Sequence, residues 1–276
     1  MINLSSKNDI RRLLEARGLH PKKHFGQNFL CDTHVLSKIL AAAELEGDDF
    51  VIEVGPGLGV LTTELAKAAR QVVAIEIDHQ MAEILQANMP KNVCIVREDV
   101  LKVNWDDIFR TEKKAKVIAN LPYYITSPII FGMLEKGLPI TSLVVMVQKE
   151  VADRLLARPG TKAYGLPSLS LAFYGRAELV ANVPPHCFFP RPDVHSAVVK
   201  INVSPKTDVN ATKFFPLIRA AFANRRKTFV NNLANSDALD LDKEQAAALL
   251  KKAELRPDVR GEALDFDDFV RLTQLI

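Results

Sequence analysis

Cysteine is scarce: three residues, Cys31, Cys94 and Cys187, odd in number and far apart. That excludes a disulfide framework and gives no zinc-ligand spacing, so three reduced thiols are expected. No apolar run approaches the ~18 residues of a membrane span. The opening Met1-Ile-Asn-Leu-Ser-Ser-Lys-Asn lacks the basic-then-apolar order of a secretory signal, so a cytoplasmic protein away from membranes is expected. Internal repeats and low-complexity tracts are absent, and with no heptad seam or interface stripe a monomer is expected. An excess of charge of either sign is also nearly lacking: the net value is +3 and the pI about 8.7. What remains is an ordinary globular chain, 48% hydrophobic and 25% charged, whose 276 residues suggest roughly two domains.

The stretch that organises the chain is Phe50-Val-Ile-Glu-Val-Gly-Pro-Gly-Leu-Gly59. Its apolar start reads as a buried parallel strand, and a helical pattern begins at Val60. Gly55, Gly57 and Gly59 between them permit a sharp turn and close approach of a ligand to a helix N-terminus. The spacing is G-x-G-x-G, distinct from the dinucleotide fingerprint. Glu53 lies inside the apolar strand, where a carboxylate without a partner is costly. Further strand patterns cover 71–77, 92–98, 116–120, 142–148, 177–183 and 196–203. Helical patterns cover 9–17, about 33–43 (capped by Asp32 or Thr33), 79–88, 127–136, 149–157 and 167–174. The alternation predicts an α/β fold, a Rossmann-like, doubly wound, seven-stranded sheet of the class I methyltransferase layout. One of the last two strands is expected to be antiparallel, because no helix separates them. From about residue 205 the patterns are helical only (214–233, 242–252, 266–275). The predicted domains are therefore 1–204 and a small α-helical C-terminal domain, 205–276.

Ligands of open α/β sheets bind beyond the carboxyl ends of the strands. Those ends carry Glu53 and the glycines, Glu76 some twenty residues on, Asp99, and Asn120-Leu-Pro-Tyr123. An acidic residue at the second position can accept from ribose hydroxyls; Asp99 is placed to reach an adenine amino group. In the Asn120 loop, the Asn120 side-chain oxygen and the Leu121 carbonyl can accept both hydrogens of an adenine exocyclic amine, which aims its lone pair at a methyl donor. Pro122 stiffens that loop, and Tyr123 offers a face to an extruded base. No metal is expected, since a sulfonium leaving group is already activated and catalysis is then largely positioning. Phe188-Phe-Pro-Arg-Pro192 is a stiff loop whose Phe188 or Phe189 can close the base's other face. A covalent role for Cys187 would need a Pro-Cys after strand four, where this chain has Pro122-Tyr123. Basic residues cluster twice, at Lys7, Arg11, Arg12, Arg17, Lys22, Lys23 and His24, and at Arg225-Arg226-Lys227. Such clusters neutralise phosphates, and Lys22, Lys23, Arg225, Arg226 and Lys227 are the RNA-binding candidates.

At these residues the chain resembles the bacterial small-subunit (16S) ribosomal RNA adenine dimethyltransferases, the KsgA/RsmA family. The resemblance runs through His24-Phe-Gly-Gln-Asn-Phe-Leu30, Glu53–Gly59, Glu76-Ile-Asp78, Glu98-Asp-Val100, Asn120–Tyr123, Gln148-Lys-Glu-Val-Ala152, Phe188-x-Pro-x-Pro192 with Val194-x-Ser196, and Arg226–Leu233. It implies S-adenosylmethionine as donor, S-adenosylhomocysteine as product, and two adjacent adenosines near the 3′ end of small-subunit rRNA as acceptors. It implies donor contacts from Asn28 and Leu30 of an N-terminal lid, from Gly55, Gly57, Glu76, Asp99, Val100 and Asn120, and a base sandwiched by Tyr123 and Phe188. The chain departs from the family at Gly165-Leu-Pro-Ser-Leu169, where an arginine usually follows Tyr-Gly; this touches RNA contacts, not chemistry. Three other readings share parts of the pattern: a large-subunit rRNA dimethyltransferase, a non-catalytic RNA-binding factor, and a DNA or protein amino-methyltransferase.

Overall fold

The computed structural model describes residues 6–22 and 25–276. The chain divides into two compact units, Met1–Ala152 with Glu178–Val203, and Asp153–Ala177 with Ser204–Ile276.

The first unit is built on apolar runs that pair as strands. In chain order the strands are β1 (Phe29–Leu30), β2 (Phe50–Val54), β3 (Gln71–Ile75), β4 (Val93–Val96), β5 (Ala115–Asn120), β6 (Ile140–Gln148), β7 (Gly175–Val183), β8 (Phe188–Phe189) and β9 (Ser196–Val203). Seven form one sheet in the order β4-β3-β2-β5-β6-β9-β7, or 3-2-1-4-5-7-6 counted within the sheet. β2 through β6 pair in parallel, whereas β9 runs antiparallel to β6 from Ser142↔Asn202 to Gln148↔Ser196. Every residue of β2 is buried, as expected of a strand covered on both faces. The helices of this part of the chain are α1 (Lys7–Ala16), α2 (Thr33–Ala43), α3 (Val60–Ala68), α4 (His79–Asn88), α5 (Trp105–Ile108), α6 (Thr126–Glu135) and α7 (Lys149–Leu155). Asp32 caps α2 by accepting from the Val35 amide, and Asp78 caps α4 by accepting from the Gln80 amide. The chain reverses direction across the sheet between β2 and β5, whose carboxyl ends lie side by side with Val54 opposite Ala119. That switch point is where a doubly wound sheet opens a crevice.

In the second unit, α8 (Leu166–Tyr174), α9 (Ala211–Ala223), α10 (Phe229–Ala234), α11 (Lys243–Lys252) and α12 (Phe266–Leu275) pack around aromatic rings. Phe214 lies 5.3 Å from Phe173 and 5.4 Å from Phe266, and Phe229 lies 5.9 Å from Phe269. Each fully buried phenylalanine contributes roughly 1.5–3 kcal/mol. The rings of Phe173 and Tyr174 on α8 meet Phe214 and Phe215 on α9, which groups residues 153–177 with the C-terminal helices although the change of sequence pattern falls near 205. No helix among the described residues is long and apolar enough to cross a membrane.

Two local features depart from the sequence reading. The helix expected over 214–233 is two helices, because Asn232 donates through its side-chain amide to the carbonyls of Ala221 (3.0 Å) and Asn224 (3.0 Å) and ends α9 there. The intervening Arg225–Lys227 is therefore loop, not helix. The segment 25–30 carries a two-residue strand, β1, paired antiparallel with β8 as Phe29↔Phe189 and Leu30↔Phe188.

Candidate active site

A pocket opens at the switch point, within the first unit. Its wall includes Asn28, Leu30, Gly55, Gly57, Glu76, Asp99, Val100, Asn120, Leu121, Pro122 and Tyr123, which come from the lid segment and four successive strand ends. The glycines matter individually. Gly57 has φ +58°, and a Cβ there would lie 3.0 Å from the Phe29 ring, so a side chain is excluded both by conformation and by the lid above it. Gly59 (φ +87°) directly precedes α3 and leaves no room between Leu85 and Met89.

On one side of the pocket the polar groups are fixed acceptors. Glu76, 5% exposed, takes the Gly57 amide at 3.0 Å on one oxygen and the Asp78 amide at 2.8 Å on the other. Burial raises its pKa, against the pull of those amides. Asp99 accepts from the Leu101 amide at 3.0 Å and holds its turn in place. Glu53 is 1% exposed and one of its carboxylate oxygens has no hydrogen-bond partner among the described residues. Burial pushes it up to about 8; the Thr62 hydroxyl lies near enough to pull it down somewhat, though outside hydrogen-bonding geometry, and Glu76 pushes it further up. A buried acid with one unpartnered oxygen, on a residue that lines the pocket, suits a neighbour that brings a hydrogen-bond donor.

On the other side lies the Asn120 loop. The Asn120 side-chain amide donates to the Asn28 carbonyl at 3.0 Å, and the residue lines the pocket. The Leu121 amide donates to the Met146 carbonyl (3.1 Å), anchoring the loop to β6. Residues Tyr123–Ile125 form a 3-10 turn leading into α6, and the Pro122 carbonyl accepts from the Thr126 hydroxyl at 3.1 Å. The Tyr123 hydroxyl is 2.5 Å from the hydroxyl of Ser196, a completely buried residue of β9. Burial raises the Tyr123 pKa, Ser196 acting in the opposite sense, so the phenol is neutral at physiological pH.

The lid is tied down by Lys22 and Gln27, for which the sequence reading gave no such role. Asp78, 2% exposed, accepts from the Lys22 ammonium at 2.9 Å and the Gln27 side-chain amide at 2.8 Å. Burial would raise the Asp78 pKa, but these two partners and the Gln80 amide hold it below the ordinary value. The only sequence signal was Asp78 in a strand end.

The structure places the stacking and RNA-binding candidates differently from one another. Phe188 is 1% exposed and packs with Leu30, Val183 and Val198 in the sheet core, since alternation along β8 turns it inward and leaves Phe189 as the outer ring. The cation of Lys22 is engaged by Asp78, and Lys23 lies outside the described residues. In the second unit the Arg225 guanidinium binds Glu262 at 3.0 Å and the carbonyls of Lys162 and Tyr164, whereas Arg226 and Lys227, exposed like Arg225, make no ion pair among the described residues.

Comparison with known proteins is consistent along the whole chain. The sequence profile of the family described as "Ribosomal RNA adenine dimethylase" matches residues 18–275. A protein of Lachnoclostridium phytofermentans named ribosomal RNA small subunit methyltransferase A is 47% identical over 92% of this chain and 91% of its own length. The protein of that name from Bacillus mycoides is 42% identical over 100% of this chain and 98% of its own. Among solved structures, a dimethyladenosine transferase from Plasmodium falciparum superposes with TM-score 0.76 at 27% identity, covering 88% of this chain and 95% of that one. The 23S rRNA methyltransferase ErmE superposes with TM-score 0.68 at 25% identity, covering 90% and 99%.

Proposed function

This chain belongs to the ribosomal RNA adenine dimethylase family, and from that premise we propose how its pocket carries out the reaction. The protein is an rRNA adenine N6-dimethyltransferase acting on small-subunit rRNA. We assign S-adenosylmethionine to the glycine side of the pocket. The residues there suit it: a glycine backbone at Gly55, and the acceptors Glu76 and Asp99 for ribose hydroxyls and an adenine amine. Asn28, Leu30 and Val100 complete its wall. When bound, this donor supplies a methyl group on a sulfonium centre.

The chain's own work is then alignment. Asn120 is held by the lid carbonyl of Asn28 with its side-chain oxygen free to accept from the target amine, and Leu121, fixed to β6, offers its carbonyl as the second acceptor. Accepting both hydrogens favours a pyramidal nitrogen whose lone pair points at the donor. Tyr123, braced by Ser196, stacks on the flipped base. Phe188 can form the other face only if the ladder carrying Leu30 moves away from it. The acceptors are two adjacent adenosines near the 3′ end of the rRNA, methylated in the cytoplasm during subunit assembly, with Arg226 and Lys227 on the phosphate backbone.

The observation that carries this reading is the convergence of Glu76, Asp99, Asn120 and Tyr123, from separate strand ends, on one pocket. The test is transfer of labelled methyl from S-adenosylmethionine into small subunits that lack the modification, with large subunits and bulk protein in parallel. Label is expected in dimethyladenosine of small-subunit rRNA, and Asn120→Ala should lower turnover by roughly 10²–10³-fold, the scale of one lost positioned polar contact. Label confined to large subunits would move the acceptor to the RNA named for ErmE. No transfer despite donor binding would leave an RNA-binding factor.

A further inference from the structure

Two consecutive tyrosines occupy the turn at the pocket, and only the first has a role so far. A 3-10 turn has three residues per turn, so neighbouring side chains diverge by about 120°. Tyr123 turns toward β9 and Ser196. Tyr124 turns the other way and is 56% exposed, the one aromatic among the large, well-exposed apolar residues described. Its ring lies along the lid turn: a Cβ built on Gly26 would sit 3.7 Å from Tyr124 Cδ1. Tyr124 lines the same pocket as the carboxylates Asp99 and Glu76 on the donor side. Ile77, 38% exposed and following Glu76, shares the same rim of the pocket. An exposed ring and an exposed aliphatic side chain flanking two acidic acceptors form an apolar mouth with polar groups behind it, the arrangement expected around a nucleoside.

We propose that Tyr124 is a donor-contacting residue that closes the pocket over the adenosine half of S-adenosylmethionine, so that the two tyrosines of one turn divide the work, Tyr123 for the acceptor base and Tyr124 for the donor. The inference rests on the donor assignment made above. It explains why an aromatic is left in solvent beside Gly26: the ring waits for a planar partner that only the bound donor supplies. It also makes donor and spent product, which share the adenosine, equally dependent on Tyr124, whereas the rRNA is not.

Calorimetric binding of S-adenosylmethionine and S-adenosylhomocysteine to wild type, Tyr124→Ala and Tyr124→Phe tests this, with rRNA KM measured at saturating donor. Tyr124→Ala should weaken both ligands on the order of tenfold, within the range of base–aromatic stacking, and leave the rRNA KM unchanged. Tyr124→Phe should retain most of the affinity, because the ring is the contact. The melting temperature of the donor-free Tyr124→Ala protein should match wild type, as befits so exposed a residue. Unchanged donor and product affinity in Tyr124→Ala would overturn the inference, as would a rise in rRNA KM alone, which would make Tyr124 a contact to the neighbouring nucleotide. Failure of the wild type to bind the donor would instead remove the donor assignment itself.

Discussion

Ser196 is completely buried at the start of β9, and its hydroxyl lies 2.5 Å from the Tyr123 hydroxyl of the Asn120 loop. The bond holds the ring from its far end. A buried phenol stripped of its partner costs about 1–3 kcal/mol and loses its orientation. Ser196→Ala should therefore lower kcat/KM for rRNA by about tenfold while leaving donor affinity unchanged. Tyr123→Phe should cost less than the serine change, and combining the two should add little, which methyl-transfer kinetics on the four proteins of that cycle will read. Additive losses would place Ser196 outside the loop's function. Glu53 allows a second prediction at this scale. Its folded-state value of about 8 lies above the ordinary 4.5. The folded chain thus holds a proton that the unfolded chain releases, and this contribution to stability is full below about pH 4.5 and declines as pH rises toward 8. In the donor-free protein, the melting temperature of wild type relative to Glu53→Gln should fall between pH 5 and pH 8. Parallel curves would mean that the carboxyl ionises in the fold without penalty.

The lid segment behaves as one element because Asp78 gathers it. Lys22 and Gln27 both end on that carboxylate, Phe29 and Leu30 pair with β8, and Asn28 takes the Asn120 amide. Asp78→Asn removes the charge that binds Lys22 and weakens the anchor at its hinge. It should speed hydrogen exchange of the amides in 25–30 and weaken donor binding by about tenfold, the effect of one charge-assisted bond. Lys22→Gln should do the same, and the double change should add little. Were Lys22→Gln to weaken rRNA binding where Asp78→Asn does not, Lys22 would be an RNA contact after all. This scale also separates what can be read along a chain from what cannot. The sheet strands are apolar runs bounded by turns, and 196–203 was readable to the residue, while 92–98 shrinks to Val93–Val96. Glu76, Asp99 and the Asn120 loop were legible because a doubly wound sheet sends strand ends to one place. The β1–β8 ladder was not, since two-residue strands have no period and their pairing joins residues some 160 positions apart. The break after Ala223 was hidden for a like reason: the residue that ends α9 is Asn232, downstream in the next helix.

For the whole molecule, the question is which positive charges face the rRNA, given a net charge of only +3. A sequence counts Lys22, Arg225, Arg226 and Lys227 alike, but the fold distinguishes them. Lys22 is neutralised by a buried carboxylate, and Arg225 is occupied by Glu262 and by the carbonyls of Lys162 and Tyr164. Arg226 and Lys227 are exposed and make no ion pair among the described residues. Each phosphate neutralised by such a side chain adds roughly 0.7–0.9 to the slope of log affinity against log salt, depending on strandedness. Arg226→Gln and Lys227→Gln should therefore each reduce that slope by about 1 for small-subunit RNA, weaken binding at low salt more than at high salt, and leave the melting temperature unchanged. Arg225→Gln should reverse the pattern: a lower melting temperature, because Glu262 and the carbonyls of Thr161, Lys162 and Tyr164 lose their donor, and a salt slope close to wild type. If instead Arg225→Gln flattens the slope as much as its neighbours do, the guanidinium must leave Glu262 when RNA binds. The internal contacts would then be the resting state of an RNA-binding arginine rather than its purpose.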